Sequence, residues 1–204
     1  MNMNKPTNPN PCDQYLSDKD YLLHMIQHHQ VAVDISLEMQ QKSNNPVMQE
    51  ILRKLIWTQN REIMMMKDIL TNLPDNISSD KLEMNKKYRT TVLDFTKSAS
   101  DPTAECNAEF FDPELHIKHI SHMKLDEKMY LKHMIPHHQV AVNMSKTLLN
   151  HTNNDFMIYF AYRIIRSQQD EINYMNQLLE NLQGWSWQSP LITPTKKKNE
   201  TKSH

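Results

Sequence analysis

The sequence is poor in glycine, with Gly184 as its single example in 204 residues. Sandwiches and barrels need glycine at their turns, so this scarcity argues against an all-β fold and favours helices. No run of about 18 apolar residues occurs, and the polar, proline-rich start lacks the apolar stretch of a secretory signal. We therefore expect a soluble protein that does not engage a membrane. The expected location is the cytoplasm, or the virion if the source is viral.

Charge and motifs exclude further classes. The net charge is −1, so no general electrostatic field draws the chain to nucleic acid. There is no phosphate-binding glycine loop and no Ser-His-Asp or Cys-His pattern, so no catalytic or cofactor-binding residue is predicted. Cys12 and Cys106 match no CxxC motif, which leaves a single disulfide and two free thiols equally open.

Histidine and methionine are abundant, with 11 and 15 residues, and an internal repeat carries them. The segment YLLHMIQHHQVAVDISL at 21–37 returns as YLKHMIPHHQVAVNMSK at 130–146, with 12 of 17 positions identical. The same offset of 109 residues aligns 55–70 with 164–179. The chain therefore holds two copies of one unit of about 55 residues.

Each copy has the pattern of a helical hairpin. Ser17 and Asp126 stand at matched positions and are good N-cap residues for the first helix of each copy. Pro46 suits the first turn of a second helix. Four amphipathic helices bury best as a bundle, so we predict an all-α four-helix bundle. Its predicted parts are hairpins at 15–73 and 126–183, a partly helical insert at 74–125, and disordered tails at 1–14 and 184–204.

Helical spacing turns polar side chains toward the predicted core. In the first copy, His29 lies in the middle of an apolar face that runs to Leu37, and Gln59 and Glu62 lie on the apolar face of the second helix. The second copy repeats the arrangement with His138, Gln168 and Glu171. A buried carboxylate is costly unless it is paired or bound to a metal, so the pattern indicates His–Glu ion pairs or metal sites.

Methionines beside these residues favour a metal. Met25 precedes His29 by one turn, and Met66 follows Glu62 by one turn. Thioether beside imidazole suits copper, particularly Cu(I), and Glu62 can ligate the ion or orient the imidazole ring. His24 and His28, at i and i+4, offer an alternative clamp on the outer face. The simplest alternative is that the methionines only fill the core.

The segments HMIPHHQVAV at 133–142 and QQDEINYM at 168–175 resemble the family known as domain of unknown function 305. That family is ferritin-like and helical, and some of its mostly exported members are linked to copper binding and resistance. The resemblance covers about 21–73 and 130–182. It implies metal binding through one site per repeat, formed by Met25, His28, His29, Glu62 and Met66 and by Met134, His137, His138, Glu171 and Met175.

The two predicted sites are expected to differ. Gln27 departs from the proline of the family motif, whereas Pro136 keeps it in the second copy. A proline inside a helix frees a carbonyl one turn earlier and bends the helix beside His137 and His138. We therefore expect the sites to differ in shape and affinity.

Three functions follow from these observations. The favoured one is copper binding for sequestration or homeostasis without catalysis, with zinc or iron as alternative metals and a metal ion as the predicted partner. The second is a structural or virion-packaged protein whose buried histidines only pair with glutamates. The third is a ferritin-like oxidoreductase, which the absence of any Glu-x-x-His motif disfavours.

Overall fold

The structure is a computed structural model, and it describes residues 5–72, 106–115, 118 and 125–184. Most of these residues form four long helices: α1 (Asp18–Lys42), α2 (Pro46–Asn72), α3 (Glu127–Leu149) and α4 (Asp155–Gly184). A short 3-10 helix, Ala108–Phe111, lies between α2 and α3 in the chain. The predicted all-α four-helix bundle is confirmed. None of the helices in the described part of the chain is long and apolar enough to cross a membrane.

Side-chain caps fix where the helices begin. Ser17 Oγ accepts a hydrogen bond from the backbone N–H of Asp20 at 3.1 Å, and Asp126 Oδ1 accepts from that of Met129 at 2.9 Å. Both predicted N-caps are therefore confirmed. Pro46 is the first residue of α2. Its missing N–H is tolerated there because the first N–H groups of a helix have no partner within the helix.

Two apolar clusters hold the hairpins together, and together they fix how the hairpins pack. The first cluster joins the start of α1 and the end of α2 to the turn end of the second hairpin; it includes Leu22, Met25, Met66, Leu148, Phe160 and Ile164. The second joins the turn end of the first hairpin to the open end of the second; it includes Ile35, Leu52, Leu55, Leu131, Met134 and Met175. The hairpins therefore lie antiparallel, and the 109-residue offset approximately exchanges the two clusters.

Two buried hydroxyl pairs repeat the same symmetry. Tyr21 Oη lies 2.6 Å from Ser145 Oγ, and Tyr130 Oη lies 2.7 Å from Ser36 Oγ. Each serine donates its own proton to a carbonyl one turn earlier on its helix, so each tyrosine donates to the serine. Because the offset maps one pair onto the other, the pairs set one register for α1 against α3.

The N-terminal segment, predicted as part of a disordered tail, is described from residue 5 onward. Asp20 is buried and accepts hydrogen bonds from the backbone N–H groups of Thr7 and Asn8. His24 Nε2 donates to the carbonyl of Asn8 at 2.8 Å. A disulfide joins Cys12 to Cys106, which decides the alternative that the sequence leaves open.

Two predictions fall on other parts of the chain. The predicted insert lies outside the described residues except for 106–115, 118 and 125. The predicted disorder of 185–204 also lies outside them.

Candidate functional site

A layer of buried polar side chains crosses the bundle between the two apolar clusters. Each helix supplies two of its members, and none is more than 6% exposed. This polar layer consists of His28, His29, Gln59, Glu62, His137, His138, Gln168 and Glu171. Polar groups removed from water destabilise the fold unless they find partners, so the contacts within the layer decide its chemistry.

Each hairpin pairs one histidine with one glutamate inside this layer. His29 Nε2 lies 2.9 Å from Glu62 Oε2, and His138 Nε2 lies 2.8 Å from Glu171 Oε2. A carboxylate only accepts, so the proton of each imidazole sits on Nε2. The other ring nitrogen, Nδ1, then carries a lone pair in the neutral ring. In both histidines Nδ1 is buried and has no hydrogen-bond partner among the described residues.

This arrangement matches a recurring feature of metal sites. A histidine that binds a metal usually donates its other ring N–H to a carboxylate or carbonyl, which fixes the tautomer and the ring orientation. The His29–Glu62 and His138–Glu171 pairs meet that description on the carboxylate side. The residues present therefore fit a metal that is bound through imidazole nitrogen.

The remaining histidines of the layer meet where the two hairpins touch. The rings of His28 and His137 stack with centroids 3.7 Å apart, and His28 Nε2 donates to the carbonyl of His137 at 3.1 Å. Burial, reinforced by the neighbouring His29 and His138, holds the pKa of His28 well below its usual value. His28 is therefore neutral, and its Nδ1 is also buried without a hydrogen-bond partner in the described chain.

The outer-face clamp considered for His24 and His28 is not what the structure shows. Both rings are buried, and each donates its Nε2–H to a backbone carbonyl. The covering layer is the 3-10 helix, whose Phe111 ring centroid lies 4.9 Å from that of His28. Phe110 covers His137 at the same distance. The adjacent aromatic residues Phe110 and Phe111 are the sequence signal for this cover, which was not predicted.

The four predicted thioether ligands lie on either side of the polar layer. Met25 and Met66 belong to the first apolar cluster, whereas Met134 and Met175 belong to the second, and all four are fully buried. Each repeat therefore keeps its own two methionines on its own side. In the described part of the chain, no three His, Cys, Asp or Glu side chains are grouped closely enough to form a metal site by themselves.

The two carboxylates have different neighbours. Glu62 Oε1 accepts a hydrogen bond from Ser167 Oγ at 2.7 Å and lies 3.9 Å from Arg163 Nε, both on α4. Glu171 Oε1 is buried and has no hydrogen-bond partner among the residues that the structure describes. Gln59 reaches across the interface, with its Nε2 3.4 Å from His138 Nε2. These cross-hairpin contacts, which the repeat pattern does not reveal, make the two halves unequal.

The fold and the polar layer define a class: a bundle of two antiparallel helical hairpins with a buried His–Glu layer at their interface. The chain belongs to the family described as Domain of unknown function (DUF305), whose model matches residues 18–179. The match spans both hairpins and confirms the resemblance that the repeated motif indicated.

Solved structures of two related proteins share the fold. CopM in its Ag-bound form is 25% identical, with a TM-score of 0.58 over 83% of this chain and 98% of that one. CopM in its Cu(II)-bound form is 23% identical, with a TM-score of 0.56 over 81% and 97%. A DUF305 fragment from Deinococcus radiodurans is 21% identical, with a TM-score of 0.55 over 87% and 99%.

A viral protein shares part of the sequence. Uncharacterized protein L153 of Acanthamoeba polyphaga mimivirus is 48% identical over 56 residues, which are 28% of this chain. The aligned stretch spans 37% of that protein's length.

Proposed function

We propose that this protein binds copper, as Cu(I), in one site per repeat and thereby sequesters or buffers the ion without catalysis. The observation that carries the proposal is the state of His29 and His138. Each donates Nε2–H to a buried glutamate and keeps an unpartnered Nδ1 inside the protein. A buried lone pair without a donor is left unsatisfied, and a cation is the ligand that satisfies it.

The buried side chains of each repeat would have different roles in binding the ion. Nδ1 of His29 or His138 is the nitrogen ligand, and the paired glutamate holds the ring and balances the charge of the cation. The sulfur ligands are Met25 and Met66 in the first repeat, and Met134 and Met175 in the second. Imidazole with thioether is a ligand set that favours Cu(I) over harder ions.

The surroundings suit storage of a soft ion. The site residues are buried between two apolar clusters, which keep water away from the ligands. CopM, which shares the fold, has been solved with Ag and with Cu(II). Silver is a soft monovalent ion like Cu(I), so the likeness supports a soft-metal role here. The histidine pair at the interface, His28 and His137, links the two sites structurally.

The competing function is a purely structural one. The distances of 2.9 and 2.8 Å show that each histidine and glutamate can satisfy one another without a metal. That account explains the Nε2 atoms but leaves the Nδ1 atoms unsatisfied. Metal content therefore distinguishes the two functions.

The test is native mass spectrometry of the protein with its Cys12–Cys106 disulfide intact, titrated with Cu(I) and separately with Zn(II) and Fe(II). We expect uptake of two Cu(I) ions per chain, lost in a His29→Ala/His138→Ala variant. The matched control is His151→Ala/Met64→Ala, which removes one imidazole and one thioether outside the polar layer. Circular dichroism of each variant checks the fold. Equal uptake by the wild type and the His29→Ala/His138→Ala variant, or no uptake by the wild type, would contradict the proposal.

A further inference from the structure

We infer that the two copper sites are unequal and that the second repeat, around His138 and Glu171, takes up the first ion. This inference rests on the proposed function and adds an order of filling to it. The repeat copies the ligands faithfully, so the difference must come from the neighbours that each carboxylate meets across the hairpin interface.

In the first repeat, neighbouring groups already balance the negative charge of the Glu62 carboxylate. Glu62 is fully buried, and both of its oxygens are engaged: Oε2 with His29 and Oε1 with Ser167. The guanidinium of Arg163 stands 3.9 Å from Oε1. The positive charge of Arg163 at that distance offsets the negative charge of Glu62. It also repels a copper ion that binds beside Glu62.

The second repeat lacks this compensation. The offset places Lys54 and Thr58 where Arg163 and Ser167 stand in the other copy. Lys54 Nζ instead lies 5.2 Å from the ring centroid of Tyr174. Glu171 Oε1 therefore stays buried with no hydrogen-bond partner in the described part of the chain.

A buried amide occurs in each repeat and therefore does not distinguish the two sites. The amide group of Gln59 lies beside the second pair, with its Nε2 3.4 Å from His138 Nε2. Its Oε1 has no hydrogen-bond partner among the described residues, and neither amide atom of its counterpart Gln168 has one. What distinguishes the second site is the unsatisfied carboxylate oxygen of Glu171 beside the free Nδ1 of His138. A cation satisfies unpaired acceptors, so the first ion should settle there.

Two residues thus set the order of filling without being ligands. Ser167 and Arg163 act on the first site through the Glu62 carboxylate, which makes them positioning and charge-balancing residues. Their removal should make the first repeat resemble the second. Removal of Lys54 and Thr58, their sequence counterparts, should change neither site, which gives a matched control.

The experiment is an anaerobic Cu(I) titration of the full chain against a colorimetric Cu(I) chelator, with two stepwise affinities fitted. In the wild type we expect the first step to be tighter than the second by about tenfold or more, as loss of one charge-assisted contact implies. Glu171→Gln should weaken the first step by about tenfold, whereas Glu62→Gln should leave it within about threefold. Both substitutions keep the shape of the side chain.

Substitutions of Ser167 and Arg163 test the same order of filling at the first site. Ser167→Ala/Arg163→Met should tighten the second step and close the gap between the steps, while Thr58→Ala/Lys54→Met should not. Imidazole ¹⁵N spectra with one equivalent of Cu(I) should show His138 shifted before His29. Two equal steps, or a first step lost in Glu62→Gln, would overturn the order of filling while leaving the copper proposal intact. No uptake by the wild type would overturn both.

Discussion

The two halves of the polar layer carry the same side chains in the same positions, yet they are not chemically equivalent. Glu62 and Glu171 each pair with a histidine of their own hairpin, but among the described residues only Glu62 has further polar partners, Ser167 and Arg163. A sequence repeat thus duplicates the contacts made within a hairpin. Contacts made between hairpins depend on the partner's sequence, which has diverged.

Elsewhere the symmetry is kept between hairpins as well. The Tyr21–Ser145 and Tyr130–Ser36 pairs have nearly equal lengths and equal burial. The helices around the polar layer thus keep the symmetry of the repeat, whereas the contacts of the two carboxylates within the layer do not.

The largest expected effect comes from equivalent core residues. Leu22 and Leu131 are matched by the offset and are both fully buried. Leu22→Ala and Leu131→Ala should each lower the free energy of unfolding by about 2–5 kcal/mol, because each leaves a cavity in its apolar cluster. Denaturant unfolding measures both, and exposed Leu115→Ala is the control. Costs that differ by more than about 2 kcal/mol would show that the scaffold itself is unequal.

Loss of the disulfide should have the next largest effect on the free energy of unfolding. It should affect both halves of the polar layer. Cys12→Ser/Cys106→Ser should cost about 2–4 kcal/mol, because the bond closes a loop with a sequence separation of 94. The bond tethers the segment that leads into Phe110 and Phe111. Its loss should therefore alter the ¹⁵N and ¹H ring shifts of His28 and His137 to a similar extent. Shifts confined to one ring would contradict a shared cover.

Acid should weaken the polar layer through His28. Burial lowers the pKa of His28 in the folded protein, so below about pH 6.5 the unfolded chain binds a proton that the folded chain does not. Stability should then fall as the pH falls, by up to about 1.4 kcal/mol per pH unit for this one group. His28→Gln should show a shallower dependence from pH 6.5 to 4.5, with pH 8 as the reference. An unchanged slope would exclude His28 as the source.

The smallest effect tests the register contacts. Tyr21→Phe and Tyr130→Phe each remove one buried hydroxyl donor, while the serine partner keeps its bond to its own helix. Each substitution should cost about 0.5–1.5 kcal/mol, and the two costs should agree. Thermal or denaturant unfolding measures both. A clear inequality would mean that the hairpins do not share one register.

Much of the fold follows from local sequence. The caps at Ser17 and Asp126, the start of α2 at Pro46 and the inward histidine and glutamate of each copy depend on short-range spacing. The prediction that the core-facing stripe of the first helix extends to Leu37 is wrong, because Leu37 is 43% exposed. It lies about 80° around the helix from His29, at the margin of the buried stripe.

The parts that escaped the sequence depend on packing between distant segments. Helix α1 is buried on more than one side, because the segment with Phe110 and Phe111 covers His24 and His28. No periodicity indicates which segment lies over a helix. The contact of Ser167 with Glu62 joins residues 105 apart in the chain and exists only once the hairpins have docked. For the same reason the stacking of His28 on His137 could not be predicted.

The most direct measurement is anomalous diffraction at the copper edge from crystals of the protein with one equivalent of Cu(I). We expect one main peak inside the bundle, beside His138 Nδ1 and on the side of Met134 and Met175. A weaker peak beside His29 should appear only with a second equivalent. A first peak at the bundle surface, or no peak in the polar layer, would contradict copper binding by the buried histidines.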